Sequence, residues 1–167
     1  GTLYSLEDLD TTLKNYIFWP EWIYDEIPYT LNGYLFALMG IYDWSNINSD
    51  LQDQATSDFN SGVKTIENII HYFDVGGYST YDLGHLVYET DLYVVITYLP
   101  IHVYLLHALN SVIVSPVLQD YESKWGAKLD DLNTEPRITS VNVSGSEVWP
   151  RRTQNVNFKR GENQKIV

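Results

Sequence analysis

The stretch GGYSTYDLGHLVYETDLYVVITYLPIHVY, residues 76–104, combines six tyrosines with two histidines. In its first half, Tyr81 stands beside Asp82 and shortly before His85. Tyrosine is an uncommon catalytic base, because its ordinary pKa is about 10. Several tyrosines in one loop-and-helix unit therefore indicate either an aromatic platform for a sugar or proton transfer at a weakly acidic carbon.

The second half of this stretch is ambiguous in secondary structure. Residues 82–97 are ambiguous because they lead into the β-branched and aromatic run LYVVITY, residues 92–98, for which a short strand is as defensible as a helix. Pro100 interrupts the chain, and we expect a helix from Leu99 to about Val114. Tyr98 would then lie just ahead of this helix and His102 in its first turn.

Length and composition indicate one folded domain, or one domain with an appendage. The chain has 167 residues, of which 44% are apolar, so it can bury a core. It contains no run of 18 apolar residues, which predicts no membrane span. It has no cysteine, which excludes disulfides and thiolate chemistry and leaves the compartment open.

Charge is distributed unevenly along the chain. Residues 1–133 hold 19 acidic residues against four lysines and no arginine, a net charge of −15, whereas residues 134–167 have a net charge of +3. An acidic body repels nucleic acid and disfavours a polyphosphate ligand. We therefore predict no nucleic-acid partner.

Apolar spacing predicts further helices on both sides of the central stretch. We expect them over residues 3–18, 31–44, 49–72 and 115–132. The second is apolar on nearly every side and should be buried all round, with Gly33 and Gly40 allowing close approach of another helix. Gly76 and Gly77 should end the third, and Pro116 suits the first position of the last. The aromatic segment between the first two helices, residues 19–30, contains two prolines and should be an ordered loop.

The C-terminal residues have a different pattern. From Thr134 the chain alternates apolar and polar residues around a Ser-Gly turn, which predicts β-structure. The expected fold class is mainly α, with a helical domain over residues 1–133 and a β-rich appendage over residues 134–167.

The residues alone leave several functions open. Tyr81 with Asp82 and His85 could be a tyrosine base with polar neighbours, or a sugar-stacking or buried tyrosine. His102 could hold a substrate oxygen or be a core histidine. The acidic residues of the aromatic loop could be glycosidase carboxylates or solvated charges; they are Glu21, Asp25 and Glu26. No phosphate-loop, zinc or serine-hydrolase motif is present, and we predict no metal and no cofactor.

Three segments together resemble the D-glucuronyl C5-epimerases, enzymes that convert glucuronate to iduronate in heparan-type chains. IPYTLNGYLFALMGIYDW resembles the family block around LNG, and STYDLGHL resembles its T-x-YDLRH motif. ITYLPIHVYLLHAL followed by VSPVLQDYESKW resembles its last segment. The order and spacing of the segments match the family from about Trp19 to Trp125.

The resemblance implies a fold and a mechanism. The fold would be part of an (α/α) toroid of antiparallel helix pairs. In the mechanism, a tyrosinate removes the C5 proton of a uronate, and a second group returns a proton to the opposite face. Tyr81 and Tyr98 match the family tyrosines and would be the catalytic pair, facing the sugar from opposite sides. The substrate-binding positions would be Glu21, Asn32, His85 and His102.

Two positions depart from the family pattern. Gly84 stands where the family has the arginine of YDLRH, and Trp22 stands where it has a tyrosine. A cation about 4 Å from a phenolate, at an effective dielectric of about 20, is worth about 4 kcal/mol, or about three pK units. Without it, a tyrosine with an ordinary pKa would be only about 0.1% ionised at neutral pH.

The leading hypothesis is a C5-epimerase-like domain acting on a uronate-containing polysaccharide. One alternative is a non-catalytic glycan-binding module, which Gly84 and Trp22 favour. Another is a uronate lyase or glycosidase on related helical architecture, since lyases share the removal of the C5 proton. A homodimer and a secreted or cell-surface location are open expectations.

Overall fold

The computed structural model describes residues 4–21, 29–47, 50–86 and 92–134. Within these ranges the protein is mainly helical, as the sequence predicts. The helices are α1 (Leu31–Ser45), α2 (Gln52–Ile69), α3 (Leu92–Asn110) and α4 (Pro116–Thr134). The described ranges also contain two short antiparallel strand pairs. They are β1 (Tyr4–Ser5) with β2 (Ile17–Phe18), and β3 (Asp74–Val75) with β4 (Tyr78–Ser79). These elements do not by themselves show a closed toroid.

By its contacts the chain divides into two units, Gly1–Lys128 and Leu129–Val167. In the second unit, the described residues are the last ones of α4, which ends at Thr134. The predicted β-rich segment otherwise lies outside the described residues. The domain boundary at residue 133 therefore stays a prediction.

The helix predicted over residues 3–18 is wrong for the described residues. They form β1, β2 and short 3₁₀ turns instead, with Leu13 and Phe18 buried. Asp10 accepts hydrogen bonds from the backbone N–H and the hydroxyl of Thr12, at 2.8 and 2.7 Å. Such side-chain bonds compete with helical ones, and the turns bury Leu6 and Leu13 without a helix.

Helix α1 begins where the sequence predicts, but it is not buried all round. Its buried face is formed by Leu31, Tyr34, Leu35 and Leu38. On the opposite side, Phe36 is 56% exposed. A Cβ on Gly40 would have nothing within 4 Å, so the close helix approach expected there is also wrong.

The close contact between α1 and α2 is made by a different glycine, Gly62 of α2. A Cβ on Gly62 would collide with the side chains of Leu38 and Trp19. The hydroxyl of Tyr34 donates a hydrogen bond to the Gly62 carbonyl at 3.0 Å. Burial raises the pKa of Tyr34, so this hydroxyl stays protonated. The two helices therefore pack at backbone distance where α2 lacks a side chain.

Gly76 and Gly77 form the turn of the β3–β4 hairpin and do not end the preceding helix. That helix already ends at Ile69 and continues as a 3₁₀ turn, Ile70–Phe73. Both glycines have positive φ, 67° and 91°. Two-residue hairpin turns of this kind require positive φ at both positions, which glycine adopts without strain.

Helix α3 begins at Leu92 and contains Pro100, so the prediction that the helix begins at Leu99 is wrong. Pro100 is exposed. A proline inside a helix removes one backbone hydrogen bond, and on the solvent side water can satisfy the freed carbonyl. Both Tyr98 and His102 therefore lie inside the helix, one turn apart.

Within the described ranges, one segment is long and apolar enough to cross a membrane by length and composition alone, Tyr93–Asn110 of α3. A third of it is buried in the protein. The buried residues include Leu99, Leu105, Leu106 and Leu109. A core helix of a soluble protein has this pattern as well, so the segment is weak evidence for a span.

Helix α4 begins as the sequence predicts. The hydroxyl of Ser115 accepts a hydrogen bond from the backbone N–H of Leu118 at 3.3 Å, and Pro116 takes the first helical position. The Ser115 hydroxyl also donates to the Glu67 carboxylate at 2.6 Å, which ties this helix start to α2.

Candidate active site

Tyr81 is fixed by its backbone at the start of α1. Its carbonyl accepts a hydrogen bond from the backbone N–H of Leu31 at 2.9 Å. The preceding residue, Thr80, donates its own N–H to the Phe73 carbonyl at 2.9 Å. The β3–β4 hairpin therefore positions Tyr81 at the N-terminus of α1. There the Tyr81 carbonyl accepts a hydrogen bond from one of the N–H groups that have no partner within the helix.

The rings of Tyr81 and Tyr98 contact each other. Their centroids are 4.3 Å apart, with 35° between the ring planes, and both residues are half-buried. The two predicted catalytic tyrosines therefore lie together. They do not lie on opposite sides of an open space, however, because rings in contact leave no room for a sugar between their faces.

Glu21 lies next to Tyr81 and over the first turn of α1. Its Oε2 is 3.5 Å from the Tyr81 hydroxyl, which donates a long hydrogen bond to it. A Cβ on Gly33 would lie 2.7 Å from the Glu21 Cβ and 3.1 Å from Oε2, so only glycine leaves this space open. The N-terminal end of the helix dipole stabilises a carboxylate at such a position.

Two buried side-chain oxygens of residues at the start of α1 lack hydrogen-bond partners. They are Asn32 Oδ1 and the hydroxyl of Thr30, which is fully buried. Thr30 is the N-cap of α1, yet its side chain makes no capping bond. Buried polar groups are normally paired, and leaving one unpaired costs about 1–3 kcal/mol. Thr30 is not among the site residues predicted from the sequence, although a threonine before a helix indicates an N-cap.

His102 lies behind Tyr98 and is fully buried. Its Nδ1 is 2.7 Å from the hydroxyl of Ser79, its Nε2 has no hydrogen-bond partner, and its ring centroid is 6.0 Å from that of Tyr98. Burial lowers the pKa of His102 to about 3, so the ring is neutral at neutral pH. A fully buried ring cannot contact a substrate at the protein surface. In this structure His102 instead lies against Tyr98 and Ser79. Ser79, its partner, carries no sequence signal that would have identified it.

Gly84 stands at the position of the family arginine, and the Asp82 carboxylate borders it. The Asp82 carboxylate accepts a hydrogen bond from the backbone N–H of Gly84 at 2.8 Å. A Cβ on Gly84 would lie 2.9 Å from that same oxygen. His85 belongs to the same 3₁₀ turn, Leu83–Leu86, but its side chain lies outside what the structure describes. The positions of Trp22, Asp25 and Glu26 lie outside the described ranges as well.

Two contacts between basic and acidic side chains lie away from Tyr81. Lys124 of α4 pairs with Asp74 of β3 at 2.6 Å, His107 of α3 is 2.8 Å from Glu122 of α4, and Glu21 takes part in neither contact. Lys124 also lies 5.5 Å from the ring of Tyr121. The Asp74 hydrogen bond raises the pKa of Lys124. Among described residues, no group of three histidine or acidic side chains could hold a metal ion.

The family assignment follows from a comparison with family models. Residues 4–127 match the model described as D-glucuronyl C5-epimerase C-terminus. The chain belongs to this family. The match covers the site residues Glu21, Asn32, Tyr81, Tyr98 and His102, so the whole candidate site lies inside the D-glucuronyl C5-epimerase C-terminal domain.

Individual relatives are more distant and much longer. The chain is 26% identical over 139 residues to the D-glucuronyl C5-epimerase of Caenorhabditis elegans, which covers 74% of this chain and 22% of that protein. It is 34% identical over 73 residues to an uncharacterized protein of Methanocaldococcus jannaschii, covering 43% of this chain and 23% of that protein. The matched region therefore spans less than a quarter of either relative.

Proposed function

We propose that this C5-epimerase-family domain inverts C5 of uronate units in a polysaccharide, with Tyr81 and Tyr98 as the proton-transfer pair. The observation that supports this most is the placement of the two phenols. Their rings are in contact at the N-terminus of α1, and the Glu21 carboxylate lies 3.5 Å from the Tyr81 hydroxyl. Residues from three separate segments meet at this one point.

The reaction breaks the C5–H bond and places its electron pair in the enolate formed with the C6 carboxyl group. One tyrosine, present as the phenolate, takes the proton and becomes a neutral phenol. The other tyrosine gives its phenol proton to the opposite face and becomes the phenolate. Attack from two faces requires the two rings to part and admit the sugar. Both rings are half-buried, and Tyr81 lies next to the exposed Glu21, so the pair can be reached from solvent.

The remaining site residues bind and orient in this proposal. Glu21 and Asn32 accept hydrogen bonds from sugar hydroxyls at the start of α1, and His85 contributes from the 3₁₀ turn after Tyr81. His102, held by Ser79 at 2.7 Å, supports the ring of Tyr98 from behind. A neutral histidine can do this without adding charge to the site.

An exchange experiment tests the proposal. The full-length protein is incubated with a glucuronate polymer in deuterated water, and C5 is followed by NMR. We expect deuterium at C5 without chain cleavage. A new unsaturated product would instead identify a lyase, since lyases share the first step and differ in the fate of the carbanion.

The second candidate function is a glycan-binding module without catalysis. Gly84 favours it, because the family arginine is absent and the Asp82 carboxylate lies where that side chain would begin. Binding of the polymer without any C5 exchange, under conditions in which the Caenorhabditis elegans epimerase exchanges, would establish this alternative.

A further inference from the structure

The buried ring of His102 has two neighbours, and both of them lead to Asp74 of β3. The first neighbour is Ser79, whose hydroxyl is 2.7 Å from His102 Nδ1 and which pairs with Asp74 across the β3–β4 hairpin. The second is Trp125 of α4, whose ring centroid is 6.3 Å from that of His102. The Trp125 Nε1–H donates a hydrogen bond to Asp74 Oδ1 at 3.0 Å. These four residues form a closed set of contacts, which we call the Asp74 cluster.

The two proposed catalytic tyrosines are attached to this cluster by short pieces of chain. Tyr81 follows Ser79 by two residues, and Tyr98 precedes His102 by four residues within α3. The rings of Tyr98 and His102 also lie near each other, with centroids 6.0 Å apart. The Asp74 cluster therefore joins the hairpin that carries Tyr81 to the helix that carries Tyr98.

The carboxylate of Asp74 bonds to α4 through both of its oxygens, but the two bonds differ in their surroundings. Oδ1 accepts from the indole of Trp125, which is fully buried. Oδ2 accepts from Lys124 Nζ at 2.6 Å, and the Lys124 side chain is 43% exposed. An exposed ion pair contributes little to a structure, whereas a buried polar group needs its partner. The bond to Trp125 is therefore the one that fixes the cluster.

We infer that Asp74 and Trp125 are positioning residues for the proton-transfer pair, because their hydrogen bond orients the indole against His102 and so holds Tyr98 in place relative to Tyr81. This inference rests on the proposed function and adds two residues to it. Trp125 and His102 are fully buried, so they act on the reaction through the tyrosines and not by touching the sugar. A misplacement of about 1 Å at the reacting groups can slow a reaction about 100-fold.

Two substitutions of Asp74 test the inference in the full-length protein with a glucuronate polymer in deuterated water. We expect Asp74→Ala to lower kcat for C5 exchange about tenfold or more and to change KM less than about twofold, because the cluster orients the tyrosines without binding the sugar. Asp74→Asn keeps an acceptor oxygen for the indole, so its kcat should stay within about threefold of the wild-type value. Wild-type kcat in Asp74→Ala, or equally slow exchange in both variants, overturns the inference.

Lys124→Gln is the matched control. It removes the ion pair on the same carboxylate and leaves the bond between Asp74 and Trp125 in place. We expect it to exchange C5 at the wild-type kcat. If it is as slow as Asp74→Ala, the ion pair and not the indole bond is responsible, and the inference fails.

A second measurement does not depend on catalysis. Nuclear Overhauser effects between the rings of Tyr81 and Tyr98 report their contact directly. We expect these signals to weaken in Asp74→Ala and to be unchanged in Lys124→Gln, and unchanged signals in Asp74→Ala overturn the inference. If the wild type shows no C5 exchange, the proposed catalysis is refuted, and the ring signals alone then decide whether Asp74 positions the two phenols.

Trp125→Phe covers the case in which Asp74→Ala does not fold. It keeps an aromatic ring in the core and removes the N–H that bonds to Asp74. We expect the same loss of kcat and the same weakening of the signals between Tyr81 and Tyr98, with urea unfolding used to show that the variant is folded in the assay. Wild-type kcat with unchanged ring signals in this variant overturns the inference.

Discussion

The backbone carbonyl of Tyr81 accepts a 2.9 Å hydrogen bond from the backbone N–H of Leu31. One residue therefore does two things, since its carbonyl closes the first turn of α1 and its ring contacts Tyr98. The bond holds the start of that helix beside Tyr81, and Glu21, which is 3.5 Å from the Tyr81 hydroxyl, lies over Gly33 of the same turn. The geometry of the candidate site thus depends on how the β3–β4 hairpin packs on α1.

The first prediction concerns the two phenols. Tyr81→Phe and Tyr98→Phe keep the ring contact and remove only the hydroxyl, so the fold should persist. We expect each to lower the rate of C5 deuterium exchange by about 100-fold or more, the usual contribution of a positioned acid or base. Tyr104→Phe, on the same helix but 70% exposed, is the matched control and should exchange normally. Exchange at the wild-type rate in Tyr81→Phe would remove that residue from the mechanism.

The second prediction is that acid destabilises the protein through His102. Its folded pKa is lowered by burial to about 3, below the ordinary value of 6.5 that applies in the unfolded chain. The unfolded state therefore binds the proton first as pH falls. The contribution is complete above pH 6.5 and is lost at about 1.4 kcal/mol per pH unit below it, or about 2 kcal/mol by pH 5.

Urea unfolding at pH 7.5, 6 and 5 measures this loss. Other groups also titrate over the range, so the comparison is with His102→Gln, which cannot take up the proton. The variant should have a shallower pH dependence than the wild type between pH 6.5 and 5. Parallel curves would show that His102 is not buried as a neutral ring.

The third prediction compares two glycines of the α1–α2 pair. Gly62→Ala places a methyl group into the side chains of Leu38 and Trp19 and should lower the free energy of unfolding by about 1–3 kcal/mol. Gly40→Ala has nothing within 4 Å and should raise it by about 0.5–1 kcal/mol, because alanine restricts the unfolded chain. Chemical denaturation measures both. Equal effects would contradict the close approach at Gly62.

The fourth prediction concerns the effect on activity of a substitution at Gly33. A Cβ there would lie 2.7 Å from the Glu21 Cβ and 2.9 Å from the Thr30 hydroxyl, so Gly33→Ala should displace Glu21 from Tyr81. We expect C5 exchange to fall at least tenfold, a loss of about 1.4 kcal/mol in transition-state stabilisation. Gly40→Ala on the same helix is the control and should retain exchange. Full activity in Gly33→Ala would show that the Glu21 position is unimportant.

The spacing of apolar residues and the capping residues predicted most of the helices. The start of α1 and the Ser115–Pro116 start of α4 were correct, because periodicity and capping residues act over one or two turns of chain. The errors occurred where distant contacts override local preference. Tyr4–Ser5 and Ile17–Phe18 pair as two short strands, although they are twelve residues or more apart. Pro100 is accepted inside α3 because it lies on the exposed side.

The sequence by itself determined the family, the order of the helices and the acidity of the domain, because each of these is a property of neighbouring residues or of composition. The tertiary structure alone decided that Tyr81 and Tyr98 touch, that Glu21 reaches both Tyr81 and α1, and that His102 is sealed from solvent. Those facts join residues far apart in the chain. Such contacts are set by which helices and hairpins pack together, and no local pattern encodes that packing.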